Sequence, residues 1–267
     1  CFKVYQDIPR RGRDLVEQEE RFELARLRAQ NALAAKNEMG KGIGTQMERT
    51  LHCVLKYYIE PDESRHEVRV GTFIADIFQA EQNRIIEIQT RNFSALRQKL
   101  SYFVQDYKVT VVYPIARQKW MSWVDPATGE MSGRRKSPRK GEPWDALPEL
   151  YRLAQLIQSP NLSFYLMLLD MEEYRLLDGW SEDKKKGSHR MERIPLRIDE
   201  AIELRAGQDY GKLLPAFLPD PFTRKDFMKA TRLSPKKSSF ALTVLLRMEA
   251  IRQSGKEGRA FLYTREG

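Results

Sequence analysis

VGTFIADIFQAEQNRIIEIQTR, residues 70–91, carries the strongest strand signal in the chain. Two runs rich in β-branched and aromatic residues, 71–78 and 84–90, flank the polar segment Ala80-Glu81-Gln82-Asn83. This pattern predicts an antiparallel hairpin with a four-residue loop. If the loop closes symmetrically, Asp76 lies directly opposite Glu87 on one face of the pair, because strand side chains alternate and opposed residues are neighbours. Like charges so placed destabilise a sheet unless a cation, a shared proton or an arginine lies between them. A divalent metal is one answer. Alternation puts Ile74, Asp76 and Phe78 with Ile85, Glu87 and Gln89 on one face, and Phe73, Ala75, Ile77, Ile86, Ile88 and Thr90 on the other. Neither face is polar, the pattern of strands covered on both sides, where an acid is costly unless it has a task. The plainer alternative is two solvent-facing acids on a half-exposed hairpin.

Outward from the hairpin, GTQMERTLHCVLKYYI places Met47, Leu51, Val54, Leu55 and Tyr58 at helical spacing over residues 45–58, with Glu48 one step off that stripe near the start. Glu48 either points towards the hairpin acids or is a first-turn glutamate favoured by the helix dipole. Residues 66–70 read as a strand. After the hairpin, residues 94–105 form a helix with Leu96, Leu100, Phe103 and Val104 on one face and Arg97, Gln98, Lys99 and Gln105 on the other. The polar face is most simply solvated. VTVVYPI, residues 109–115, reads as a buried central strand.

An acid on one strand, Glu-Ile-Gln on the next, a preceding helix with Glu48 and a following helix FSALRQKLSYFV together resemble the PD-(D/E)XK nucleases, the restriction-endonuclease-like fold. The resemblance covers about residues 44–115 in the order helix, three-stranded meander, helix, strand, and that order carries more weight than the short motif. It implies a metal-dependent phosphodiester hydrolase. Asp76, Glu87 and the Ile88 carbonyl would hold Mg²⁺ or Mn²⁺, Glu48 would complete the site, and Gln89 would orient water or contact phosphate. Gln89 stands where the family has lysine, a variation found among its active members, and no proline precedes Asp76 in the usual slot. The family's following helix often lends a polar residue, which makes Arg97 and Gln98 secondary candidates.

Composition bounds the alternatives. The chain has 267 residues and a net charge of +9, enough length for one large or two smaller domains and a charge that suits a polyanionic partner. Its two cysteines and three histidines lack zinc-ligand or disulfide-framework spacing, so any metal is expected on oxygen. No apolar run is long enough to cross a membrane and the N-terminal stretch lacks a signal-peptide centre, which predicts a cytoplasmic protein, with nucleoid association an option. The charge is uneven. Residues 221–267 hold eleven Lys and Arg against four acids, and residues 117–140 hold seven against two.

Residues 13–36 read as a charged helix with sparse apolar residues, fitting loose packing on the core, pairing in a homodimer or, most simply, an ordinary surface helix. MGKGIGT resembles a phosphate loop only in its glycines and reads as a flexible lead-in. Trp120, Trp123 and Trp144 surround a hairpin signal and a basic loop with Arg134, Arg135 and Lys136, a mixture suited to phosphate contact and stacking or simply to solvent. A helix over 147–157, a strand over 162–169, a basic loop at 184–186 and a strand over 194–198 follow. Residues 198–217 read as helix and connector ending at Pro219-Asp220-Pro221, a candidate boundary.

Beyond it, FTRKDFMKATRLSPKKSSFALTVLLRMEAIRQSGKEGRAFLYTR resembles a winged helix-turn-helix, with Phe227, Leu242, Leu245, Leu246, Ile251, Phe261 and Tyr263 as its small core. Lys236, Lys237, Ser238 and Ser239 would meet DNA at the start of the recognition helix, with Lys256 and Arg259 on the wing. A protein-contact module is the alternative.

The expectation is therefore an α/β chain: a helical extension over 1–43, a restriction-endonuclease-like mixed sheet flanked by helices over 44–218, and a winged helix over 219–267. Its expected function is Mg²⁺-dependent DNA endonuclease. The alternative is an inactive nuclease-like DNA-binding regulator or assembly factor, and a toxin- or defence-type protein acting on RNA is a third reading that charge alone does not separate.

Overall fold

The computed structural model describes residues 12–38, 49–179 and 187–266. Glu48, the MGKGIGT segment and the basic loop at 184–186 lie outside the described residues. The protein is a mixed α/β chain with a large mixed sheet flanked by helices, and it divides into two compact units. One comprises Cys1–His66, Ala116–Lys140 and Leu169–Ala201; the other comprises Glu67–Ile115, Gly141–Leu168 and Ile202–Gly267. The Pro219-Asp220-Pro221 segment thus falls inside the second unit.

In the first unit, α1 (Gly12–Glu38) packs on α2 (Arg49–Ile59). Phe22, Ala25 and Ala29 are its buried face, and Phe22 meets the Tyr58 ring edge-on at 5.5 Å. The small alanines let the helices approach closely, whereas Leu24 and Leu27 are exposed. This unit also holds the outer parts of three long strands, introduced below. There Glu173, almost fully buried, is met by Lys119 Nζ at 3.0 Å, Arg175 Nη1 at 2.9 Å and Arg190 Nε at 3.4 Å. Burial pushes its carboxyl up, but these cations outweigh that and hold it below its ordinary value.

The second unit starts from the hairpin. Strand β1 (His66–Val70) turns at Gly71 into β2 (Phe73–Gln79); Gly71 has φ +59°, and a Cβ there would run into the Tyr102 ring. Gly71 is thus a turn residue and not the first residue of the strand. A single 3₁₀ turn, Ala80–Gln82, closed by Asn83 in the left-handed region, leads to β3 (Arg84–Ile88). Ile77 pairs with Ile86, Phe78 with Ile85 and Gln79 with Arg84. A 3₁₀ turn at Phe93–Leu96 runs into α3 (Arg97–Phe103), after which β4 (Lys108–Val124) returns parallel to β3.

β4 does not stop at Ile115. It runs nine residues further than its apolar core suggests, turns through Asp125-Pro126-Ala127-Thr128-Gly129, and pairs with the short β5 (Arg135–Lys136). The basic run is therefore partly strand instead of a separate loop: Trp120 pairs with Lys136 and Met121 with Arg135. The expected helix over 147–157 is broken into 3₁₀ turns around the four-residue α4 (Leu147–Leu150). β6 (Leu162–Leu176) and β7 (His189–Leu204) complete the order β1-β2-β3-β4-β6-β7. Residues 198–204 thus belong to a strand and not to a helix: Ala-Ile-Glu-Leu favours a helix locally, but Ile202 and Leu204 alternate into the core, and sheet pairing overrides propensity.

The C-terminal elements are β8 (Phe222–Thr223), α5 (Arg224–Thr231), α6 (Pro235–Arg247), β9 (Ile251–Glu257) and β10 (Ala260–Arg265), with a three-stranded sheet in the order β8-β10-β9. Phe227, Leu242, Leu245, Ile251 and Tyr263 are buried as expected, whereas Phe261 is exposed beneath Lys256 Nζ, 5.1 Å from its ring centre. This core is continuous with that of the rest of the unit. Phe240 of α6 stacks on Tyr151 at 4.1 Å, and Gln158 donates to the Arg247 carbonyl at 3.1 Å. Thr223 caps α5 reciprocally with Asp226: the carboxylate accepts from the Thr223 N–H at 2.9 Å, and Thr223 Oγ1 accepts from the Asp226 N–H at 3.3 Å. Thr223→Ala is expected to cost about 1 kcal/mol, measured as a lower urea midpoint with an unchanged slope.

No helix among the described residues is long and apolar enough to cross a membrane.

Candidate active site

One step beyond the paired residues of β2 and β3, the same register sets Asp76 against Glu87. The two carboxylates are tied to the opposite strand's backbone: Asp76 Oδ2 accepts from the Ile88 N–H at 2.8 Å, and Glu87 Oε1 accepts from the Asp76 N–H at 3.3 Å. The two bonds hold both carboxyls against the strand pair. Glu87 is 1% exposed, Asp76 is half-buried, and Ile74, next along that face of β2, is 52% exposed. β3 is covered on both faces as the pattern predicts; β2 is not, and the acids lie where the covered face opens to solvent.

Sequence reasoning missed the third member. Lys99 on α3 places Nζ 2.5 Å from Glu87 Oε2. Assigning the helix's polar face to solvent is correct for Arg97 and Gln98, which are exposed; Arg97 donates to the Arg152 carbonyl. Lys99, one residue on, turns inward and leaves only 18% of its side chain exposed. The available signal was a lysine within one helical turn of the secondary candidates, in a chain whose strand lacks the motif lysine.

Gln89 does not join them. Its amide donates to the carbonyls of Arg91 and Asn92, capping the loop that follows β3. Glu48 lies outside the described residues. Ile88 contributes its N–H to Asp76. Among the described residues no three His, Cys, Asp or Glu side chains form a group suited to holding a metal; the hairpin supplies two carboxylates.

Burial, and then the charge of Asp76, push the Glu87 carboxyl up from its ordinary value to about 7, with Lys99 pulling the other way. The contrast with Glu173 is informative. Three cations satisfy that buried acid, whereas Glu87 has one cation and an opposed anion. Because its folded pKa is raised, the proton on Glu87 stabilises the fold fully below the ordinary carboxylate range, and that stability is lost as pH rises through about 7. Between about pH 5 and pH 8 the wild type is expected to lose roughly 1–3 kcal/mol relative to Glu87→Gln, read from urea midpoints at each pH. Identical pH dependence in the two proteins would contradict the raised pKa.

Of the expected DNA contacts, Lys236, Lys237, Ser239, Lys256 and Arg259 are exposed. Ser238 is fully buried, its hydroxyl turned to the Leu233 carbonyl at 3.4 Å, because the third residue after the Pro235 start of α6 falls on the inner face; it is removed from the contact set. In the first unit Arg135 and Lys136 are exposed on β5, while Arg134 pairs with Glu172 at 2.7 Å and lies over Trp120.

Residues 49–205 match the family described as Domain of unknown function (DUF8091). The chain belongs to the DUF8091 family. The matched stretch runs from α2 through β7 and includes Asp76, Glu87 and Lys99, and it ends before the C-terminal helices. An uncharacterized protein of Treponema pallidum (strain Nichols) is 28% identical over 224 residues, spanning 84% of this chain and 88% of its own length. No solved structure matches this DUF8091 chain.

Proposed function

We propose that this DUF8091 protein is a metal-dependent phosphodiester hydrolase acting on DNA, with Asp76, Glu87 and Lys99 at its centre. The observation that carries the reading is geometric: a glutamate 1% exposed that the hairpin register sets opposite a second carboxylate, with Lys99 against it; burial, and then the charge of Asp76, push its carboxyl up to about 7. Such a group is a functional-site candidate on physical grounds. The order α2, β1-β2-β3, α3, β4 supports the PD-(D/E)XK resemblance, and the order α5, α6, β9-β10 supports the winged helix.

The donor set fits Mg²⁺ or Mn²⁺. Two opposed carboxylates supply hard oxygen ligands of the kind these ions take, and a cation there relieves the repulsion that Asp76 adds to burial at Glu87. Asp76, Glu87 and the Ile88 carbonyl would hold the ion. When bound, it would supply Lewis-acid charge beside the scissile phosphate. Lys99 fixes the Glu87 carboxylate through one N–H and has two further donors for a phosphate oxygen or the attacking water, the work that Gln89 would have to do if Lys99 were absent. Lys236, Lys237 and Ser239 at the start of α6, with Lys256 and Arg259 on the ribbon, would hold the duplex, mainly through its phosphates.

The inactive-regulator reading keeps one specific support: Lys99 already compensates Glu87, so the pair can persist as a structural ion pair. Incubation of the protein with labelled duplex, branched and single-stranded DNA, and with RNA, across a Mg²⁺ and Mn²⁺ series separates them. Metal-dependent strand cleavage of DNA supports the hydrolase. Salt-sensitive DNA binding without cleavage or metal uptake supports the regulator.

A further inference from the structure

A second polar cluster lies on the opposite face of the sheet. Arg84 opens β3 and alternates with Ile86 and Ile88, so it faces away from Glu87; Thr110 of β4 is the register partner of Ile86 and shares that side. Arg84 Nη2 donates to Thr110 Oγ1 at 2.9 Å, Thr110 Oγ1 lies 2.9 Å from Ser163 Oγ of β6, and Ser163 in turn reaches the Val109 carbonyl at 3.3 Å. Thr110 is only 3% exposed. A hydroxyl chain that crosses two central strands and ends on a guanidinium is costly to build into a sheet face that is otherwise apolar, and it fixes the plane of Arg84.

This chain forms the floor of a cleft of about 430 Å³, whose walls include Lys108, Asn161, Glu203 and Arg205. Of the residues lining the cleft, Arg84, Lys108 and Arg205 are cations and Glu203 is the acid, with Arg205 Nε donating to Glu203 Oε1 at 2.6 Å. Its size is that of a small-ligand site. Guanidinium, ammonium and amide donors converge on the cleft without a surplus of acids among its lining residues and match the oxygens of a phosphate, while the hydroxyl protons are used within the Thr110–Ser163–Val109 chain.

We propose that this cleft is a phosphate-binding site, distinct from the carboxylate pair, which takes the phosphate group either of a mononucleotide-sized ligand or of a nucleic-acid backbone. Arg84 and Lys108 hold the oxyanion, Thr110 orients Arg84, and Glu203 limits affinity.

Calorimetric titration of the full chain in EDTA with inorganic phosphate and adenosine 5′-monophosphate, beside fluorescence titration with a labelled DNA duplex, tests this without involving the proposed nuclease chemistry. Lys108→Gln, an exposed change, and Arg84→Gln are each expected to weaken binding about tenfold, the loss of one charged hydrogen bond, while Glu203→Gln strengthens it. Phosphate or monophosphate binding that responds to these variants assigns a small-molecule site. Duplex binding that responds, with no binding of the small probes, assigns the backbone as the source. Binding of all three probes that is absent, or unchanged in both variants, overturns the proposal. Because no metal or cleavage is read, failure of the nuclease reading leaves this result independent.

Discussion

Glu87→Ala is expected to reduce Mg²⁺-dependent DNA cleavage by about 10³-fold or more, to background, while duplex affinity stays within about twofold. Glu87 is almost wholly buried, sits opposite Asp76 and touches Lys99, so its loss removes half of the carboxylate donors and the partner of the ammonium at once. The exposed cations proposed to hold DNA lie on α6 and the β9-β10 ribbon, none of which contains Glu87. Binding and chemistry should therefore separate. Glu87→Gln keeps the shape and removes only the charge, and is expected to be as inactive as the alanine variant with a higher urea midpoint at about pH 8. Cleavage that survives both substitutions would move any chemistry away from the hairpin.

Lys99→Met is the second large effect: a loss of about 10²-fold in cleavage, of the size seen when one preorganised donor is removed, together with an upward displacement of the acidic limb of the pH profile. The sign follows from the charges. Lys99 lowers the Glu87 pKa, so removing it moves that pKa further up from about 7, and less of the carboxylate is ionised at neutral pH. A purely structural ion pair would lose stability without moving the profile. Lys99→Arg, which keeps the charge on a longer fork, is expected to restore most of the profile's position but not the full rate.

The hairpin shows how much of the site was legible. The period of two, the polar tetrad at its tip and the symmetry of the loop were enough to oppose Asp76 and Glu87, and the fold keeps that register. The α2, α3 and α6 stripes were also legible, because buried side chains recur along a helix at fixed spacing. The basic C-terminal helix start was read one residue too generously. Four consecutive polar residues look alike in composition, yet Ser238 turns inward while Lys236, Lys237 and Ser239 do not.

Local pattern failed where a partner decides the outcome. Residues 198–204 carry helix-forming side chains and become strand only because β6 lies alongside for them to pair with. The Gln89 amide is drawn to the carbonyls of Arg91 and Asn92, a competition that the strand's alternation does not reveal. The expected separate core of the C-terminal segment is instead continuous with the sheet's own, through Tyr151 stacked on Phe240.

The hairpin, its register, the opposed acids and the uneven charge are written in the order of residues, since each follows from spacing along the chain. Which cation answers those acids, and where Arg84, Thr110 and Ser163 converge, is set by the packed fold. The rotational setting of α3 against β3, and the lateral order of strands distant in sequence, come from packing apolar surfaces together, and no local period encodes them.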